Sequence, residues 1–171
     1  EIICLPIGIK NNKKALEIIK KYDGFVDIFF IDVENKISEC QNLLQKIKKN
    51  VKKSEIYPIK GNDFSADAAY ATILEIFKDV TGKKICIIGA GNIGSKVALK
   101  LIESGSNMFI VNSNYKSSYK TATAINTLKP KQCIQSAKPI SISKIPEKID
   151  GIIGFTRGIP VITSDVIKKV R

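Results

Sequence analysis

The 171 residues suffice for one sizeable α/β domain, alone or with a smaller one attached, and 44% hydrophobic residues can supply a buried core. Lys and Arg number 28 against 16 Asp and Glu, a net charge of +12, and histidine is absent, which excludes histidine triads, imidazole metal sites and histidine-assisted hydride transfer. No apolar run approaches the ~18 residues of a membrane span, and the opening EIICLPIGIKNNKK lacks the basic start and cleavage pattern of a signal peptide, so no membrane partner and a cytoplasmic location are expected. Residue 1 is Glu, which leaves an upstream segment open. Cys4, Cys40, Cys86 and Cys133 match no metal knuckle or redox pair; they read as reduced core or near-core residues, and no metal is expected.

The first expected element is an apolar strand, Ile2 to Leu5, ended by Pro6 and Gly8. Asn11 or Asn12 can cap a helix with an apolar stripe of Ala15, Leu16, Ile18 and Ile19, closed by Tyr22 to Gly24. Phe25 to Val33 reads as a strand, and Ile37, Cys40, Leu43, Leu44 and Ile47 mark one side of a second helix. Lysines 46, 48, 49, 52 and 53 crowd its end, where cations suit the helix dipole and solvent; no aromatic residues interleave with them, so no nucleic-acid partner is expected. A short extended segment, Ile56 to Ile59, is interrupted by Pro58. Ser65 can then cap a helix with Ala68, Ala69, Ile73, Ile76 and Phe77, with Asp67 in its first turn, as a bridge between two lobes. This places the boundary near residue 80: a small α/β lobe with its bridging helix over 1–80, and a second lobe over 81–171.

The second lobe opens on GKKICIIGAGNIGSKVALKLIESG, residues 82–105. A strand, Ile85 to Ile88, runs into Gly89, Gly91 and Gly94 in the spacing G-x-G-x-x-G, and Val97, Ala98, Leu101 and Ile102 follow at helical spacing up to a stop at Gly105. Gly89 permits the tight turn, Gly91 lets the backbone approach a pyrophosphate, and Gly94 lets the helix pack closely on the strand. The amides of Asn92, Ile93 and Gly94 at the helix start would face the phosphates. The expectation is a Rossmann-type dinucleotide site; the alternative is a glycine turn without a ligand.

Met108 to Val111 is the next strand, and it ends in VNSNYKSSYK. An NAD-preferring fold carries Asp or Glu here for the ribose hydroxyls, whereas this chain has Asn112, Ser113 and Asn114, then Lys116 and Lys120. No carboxylate repels a 2′-phosphate, so NADP is the expected cofactor, with NAD the alternative and a plain polar loop the bland reading. Ser117 to Leu128 supports a helix, Cys133 to Gln135 a short strand and Asp150 to Phe155 another, after which Thr156, Arg157 and Gly158 should lie near the nicotinamide end. Thr163 or Ser164 can cap a final helix with Val166, Ile167 and Val170 apolar, and the chain ends where another strand would be expected.

The segments GNDFSADAA, TGKKICIIGAGNIGSKVALKLIESG, IVNSN and IIGFTRGIPVITSDVI together resemble the NAD(P)-binding lobe of the shikimate dehydrogenase type. That grouping includes glutamyl-tRNA reductases and is similar to methylene-tetrahydrofolate and methylene-tetrahydromethanopterin dehydrogenases. The resemblance covers about residues 60 to 170. It departs from the shikimate enzymes where Asn62 and Asp63 match their Asn-Thr-Asp-Gly segment only in part, and where Asn112, Ser113 and Asn114 replace their Asn-Arg-Thr phosphate clamp. It implies catalytic candidates at Lys60 and Asp63, against the bland readings of a solvated lysine and a turn or cap carboxylate. In the methylene-tetrahydropterin enzymes the pterin nitrogens stabilise the cation left by hydride departure, so positioning would matter more than side-chain acid or base chemistry. The reading is an α/β protein with a Rossmann-type parallel sheet lobe behind a small α/β lobe, acting as an NAD(P)-dependent oxidoreductase on a small-molecule substrate in the cleft between lobes. Methylene-tetrahydropterin, shikimate or quinate are candidate substrates; a non-catalytic dinucleotide-sensing subunit is the alternative, and a homo-oligomer is compatible with either.

Overall fold

The computed structural model describes residues 3–34, 42–156, 158 and 160–170, and the chain forms two compact units, 1–61 and 62–171. The first contains α1 (Asn12–Tyr22), β1 (Ile28–Asp32), α2 (Leu43–Asn50) and β2 (Glu55–Ile59). Strands β1 and β2 are parallel, with Ile28 opposite Glu55 and Ile31 opposite Pro58, so the proline is accommodated in a two-stranded sheet where each strand is an edge. Asn11 caps α1 as expected, its side chain accepting from the Lys14 amide at 2.9 Å. Ala15 and Ile19 from α1, Ile31 from β1, and Leu43 and Ile47 from α2 make a separate buried core.

Two expectations in this unit change. Residues 3–9 form no strand: Ile3, Leu5 and Ile7 are exposed, and among the described residues β1 pairs with β2 alone, so this short apolar stretch gains no ladder. The Phe25–Val33 strand shortens to Ile28–Asp32 because Asp23 and Gly24 are held in a turn, where Phe25 and Val26 amides donate to the Tyr22 carbonyl at 2.9 and 3.2 Å. Ile37 and Cys40 of the second predicted helix lie outside the described residues; Leu43, Leu44 and Ile47 face the core as expected.

The second unit is built on a four-stranded parallel sheet of order β5-β4-β3-β6, from β3 (Lys84–Ile88), β4 (Asn107–Val111), β5 (Ala137–Pro139) and β6 (Gly151–Gly154). Ile85 to Ile88 are all buried, as a central strand covered on both faces must be. Helices α3 (Gly61–Phe77), α4 (Asn92–Glu103) and α5 (Tyr115–Leu128) cover one face, burying Ile85, Ile87, Met108 and Ile110. Cys86, Ile88 and Val111 face the other side, under Ile145, Ile149 and Val166 of the 3-10 turn region and α6 (Ser164–Ile167). The change of covered face follows from right-handed crossovers: winding from β3 to β5 and then returning to β6 puts the connections on opposite sides.

Helix α3 starts at Gly61, four residues ahead of the expected Ser65 cap. Asp63 then occupies the first turn, favourable to the helix dipole, and Ala66 and Ile73 reach the core. The helix read as a bridge therefore packs within the second unit. Gly105 (φ 91°) ends α4 in a Schellman arrangement: its amide donates to the Ile102 carbonyl and the Ser106 amide to that of Leu101, each at 2.9 Å. The strand expected at Cys133 to Gln135 is coil, because the Lys129 ammonium takes the Cys133 and Gln135 carbonyls. Pairing starts at Ala137, whose amide and carbonyl both bond the Asn126 side chain at 2.9 Å. Among the described residues no helix is long and apolar enough to cross a membrane.

Candidate functional site

The strand order reverses between β3 and β6, and in open parallel sheets the crevice outside the carboxyl ends of strands at such a switch is where ligands bind. The predicted glycine turn lies there. The Gly89 amide donates to the Val111 carbonyl at 2.7 Å and the Phe155 amide to that of Ile88 at 2.8 Å, so the ends of β3, β4 and β6 are tied together.

The three glycines face different surroundings. Gly89 has φ 87°, and a β-carbon on it would fall 2.7 Å from both the Phe155 carbonyl oxygen and Thr156 Cγ2. At Gly94 an added carbon would lie 3.0 Å from the Gly89 carbonyl and 3.3 Å from Ile87 Cγ2, the close helix-on-strand packing that the spacing predicts. At Gly91, by contrast, it would point into open space. Gly91 is also the N-cap of α4, with no capping side chain, so the first-turn amides of Asn92, Ile93 and Gly94 are left to an external acceptor. Thr156 is exposed against Gly89; Arg157 lies outside the described residues.

After β4, the three polar residues have distinct positions. The Asn112 amide N–H donates to Ser118 Oγ at 2.9 Å, and its side-chain Nδ2 donates to Thr121 Oγ1 at 3.1 Å. Asn114 caps α5, its Oδ1 accepting from the Ser117 amide at 2.9 Å. Ser113 and Lys116 are exposed. The buried Ser118 was not singled out by the sequence, although it and Thr121 recur three residues apart on one helix face, a spacing that can be read as inward polar support for the loop. A groove of about 430 Å³ beside the glycine turn is lined by Gly91, Asn92, Ser95 and Lys96 from one side and Lys120 and Thr121 from the other.

Lys60 and Asp63 fall in different compact units. Lys60 is exposed just after β2. Asp63 pairs with Lys96 of α4. One turn further along both helices Asp67 pairs with Lys100 at 2.9 Å, and the Tyr70 and Ser104 hydroxyls bond another turn on. The hydrogen bond that Lys100 donates to the Asp67 carboxylate, together with the carboxylate's negative charge, holds the Lys100 ammonium protonated to higher pH than an ordinary lysine.

Residues 84–156 match the family model described as NADP oxidoreductase, coenzyme F420-dependent. No curated protein matches the chain. Among solved structures, a dipicolinate synthase component from Bacillus halodurans is similar with a TM-score of 0.50 and 14% identity, over 91% of this chain and 51% of that one. Its counterpart in the dipicolinate synthase from Bacillus subtilis gives 0.47 and 11%, over 91% and 49%. L-tryptophan dehydrogenase from Nostoc punctiforme gives 0.46 and 17%, over 91% and 44%. The chain thus spans about half the length of the structures it matches. These likenesses do not single out the shikimate or methylene-tetrahydropterin types that the motifs resemble; what residues 84–156 carry is the NAD(P)-binding Rossmann-type fold.

Proposed function

We propose that the second unit binds a nicotinamide dinucleotide across the β3/β6 switch point and that the protein is an NAD(P)-dependent hydride-transfer oxidoreductase. The observation that carries this reading is Gly91: the middle glycine faces open space at an uncapped helix start, while a side chain at Gly89 would clash and one at Gly94 would press on its neighbours. The amides of Asn92, Ile93 and Gly94 would hold the pyrophosphate, and the Asn112 to Asn114 turn with Lys116 the adenosine ribose. Thr156, against Gly89, would border the nicotinamide. When bound, the cofactor supplies the hydride chemistry; the chain binds it, orients it and excludes water.

NADP is the preferred form in this reading, since no carboxylate stands at Asn112, Ser113 or Asn114, and the matched family's description names NADP. The same description makes a coenzyme F420-like deazaflavin a hydride partner to test beside methylene-tetrahydropterin, shikimate and quinate. Lys60 and Asp63 remain the candidate catalytic residues, and one Asp63 carboxylate oxygen is held by the Lys96 ammonium. A non-catalytic dinucleotide-sensing subunit is the alternative, and the Asp63–Lys96 pair favours it, because it gives Asp63 a structural task.

Calorimetric titration with NADP and NAD is the test. Wild type should bind NADP more tightly, Gly91→Ala should lose about tenfold or more in affinity through the methyl placed against the pyrophosphate, and Asn112→Asp should flatten the NADP preference. Equal affinity of wild type and Gly91→Ala would remove the site. Turnover with a candidate substrate, lowered by Lys60→Met or Asp63→Asn beyond any loss of cofactor binding, separates catalysis from sensing.

A further inference from the structure

The groove between α4 and α5 carries chemistry that a pyrophosphate on the α4 amides would not use. Ser95 and Lys96 line one wall, Lys120 and Thr121 the other, and among the described residues no carboxylate lines it. From Val80 to Pro146 the one acidic residue is Glu103, at the end of α4 away from the glycine turn. On the α4 wall the polar groups are already engaged: the Lys96 ammonium pairs with Asp63, and the Ser95 hydroxyl donates to the Gly91 carbonyl at 2.6 Å. The α5 wall is different. Lys120 is exposed and has no hydrogen-bond or ion-pair partner among the described residues. Lys116 stands one turn earlier on α5, a helix without Asp or Glu, so two ammonium groups four residues apart repel with no carboxylate of the helix to separate them. Thr121 departs from Thr72 and Thr127, whose hydroxyls donate back to the Ala68 and Thr123 carbonyls, each at 3.0 Å. Its Oγ1 instead accepts from Asn112 Nδ2 at 3.1 Å, and nothing among the described residues takes its proton.

We propose that Lys120 and Thr121 form a phosphate-monoester subsite that takes the 2′-phosphate of NADP, an assignment that rests on the dinucleotide reading of the second unit. A wall of donors without a carboxylate suits a dianion that can only accept. Asn112 connects this wall to the ribose position: it follows β4, where the adenosine ribose is expected, and its side-chain amide lies against Thr121. A phosphate on the ribose 2′-oxygen would accept the Thr121 proton and the Lys120 ammonium, both charge-assisted bonds, and would relieve the repulsion between Lys116 and Lys120. NAD carries a hydroxyl there and would leave both donors to water. The first-turn amides of α4 serve the pyrophosphate of either cofactor alike, so this wall adds affinity for NADP alone. Preference for NADP then has two sources: the missing carboxylate after β4 and the donor pair on α5.

Calorimetric titration of the full chain with NADP, NAD, adenosine 2′,5′-bisphosphate and inorganic phosphate tests this. Lys120→Met should weaken NADP and the bisphosphate by about tenfold or more and leave NAD within about twofold of wild type. Thr121→Val should weaken NADP by roughly fivefold, and Thr121→Ser, which keeps the hydroxyl but not the methyl, should bind as wild type does; a packing role would give the reverse order. Lys131→Met removes an exposed lysine that does not line the groove and should leave both cofactors unchanged, which separates the subsite from the general positive field. Inorganic phosphate binding as tightly as the bisphosphate would make the groove a free-phosphate site and overturn the assignment. Lys120→Met that weakens NADP and NAD together, or neither, overturns the subsite while the dinucleotide reading stands. A wild-type chain that binds neither cofactor removes both.

Discussion

Gly89 and Gly91 are two residues apart and predict opposite behaviour. Alanine at Gly89 meets a left-handed backbone and two atoms at 2.7 Å, so it should cost about 1–3 kcal/mol of stability and depress the melting temperature of the second unit. Alanine at Gly91 meets nothing, so the same melt should be close to wild type while dinucleotide affinity falls. The cysteines divide in the same way. Cys4 and Cys86 both read as core residues, yet Cys4 is exposed in the extended stretch before α1, whereas burial in the sheet pushes the Cys86 thiol up to about 12. Iodoacetamide at pH 8 should label Cys4 within minutes in the native protein and leave Cys86 unmodified until denaturant is added; mass mapping of the modified peptides checks it. The error over Cys4 has a plain cause: ICL and CII are alike as apolar tripeptides, and only the presence of neighbouring strands distinguishes them.

At the scale of elements, much of the local structure was readable because it rests on contacts within a few residues. The Asn11 cap, the glycine turn and the Gly105 stop are of this kind. Asp23 belongs to the other kind. Its carboxylate accepts the amides of Ser54, Lys52 and Lys53, about thirty residues away, and these bonds, Ser54 foremost, lower its pKa from 3.8 to about 2. A carboxylate whose folded pKa lies below its unfolded one contributes stability that is complete above the unfolded value and is lost as pH falls toward the folded value. The first unit should therefore lose stability between about pH 4 and pH 2. Asp23→Asn should be less stable than wild type at pH 6 and show a flatter pH dependence over that interval, which thermal melts at a series of pH values will read.

For the whole molecule, the separation of buried cores gives the clearest expectation. Among the described residues, one core draws on α1, β1, α2, β2 and their flanks, and the other two on residues from Ala66 onward. Residues 62–171 expressed alone should fold cooperatively and keep the dinucleotide affinity of the full chain. Circular dichroism melts and the same calorimetric titration measure both, and an unfolded product would show that the second unit depends on the first.

The sequence alone determined the α/β class, the strand-turn-helix at Gly89 to Gly94 and the polar run after β4, because hydrophobic period, helix stops and glycine spacing act over a few residues. Only the tertiary structure decided which surroundings those residues meet. It set β3 in the middle of the sheet with β6 beside it, which brings Thr156 against Gly89 across more than sixty residues of chain. It also engaged Asp63 with Lys96 and left Ile3 to Leu5 without a strand partner. In each case the deciding contact joins residues whose proximity depends on strand pairing or helix docking, so no local pattern around either partner could announce it.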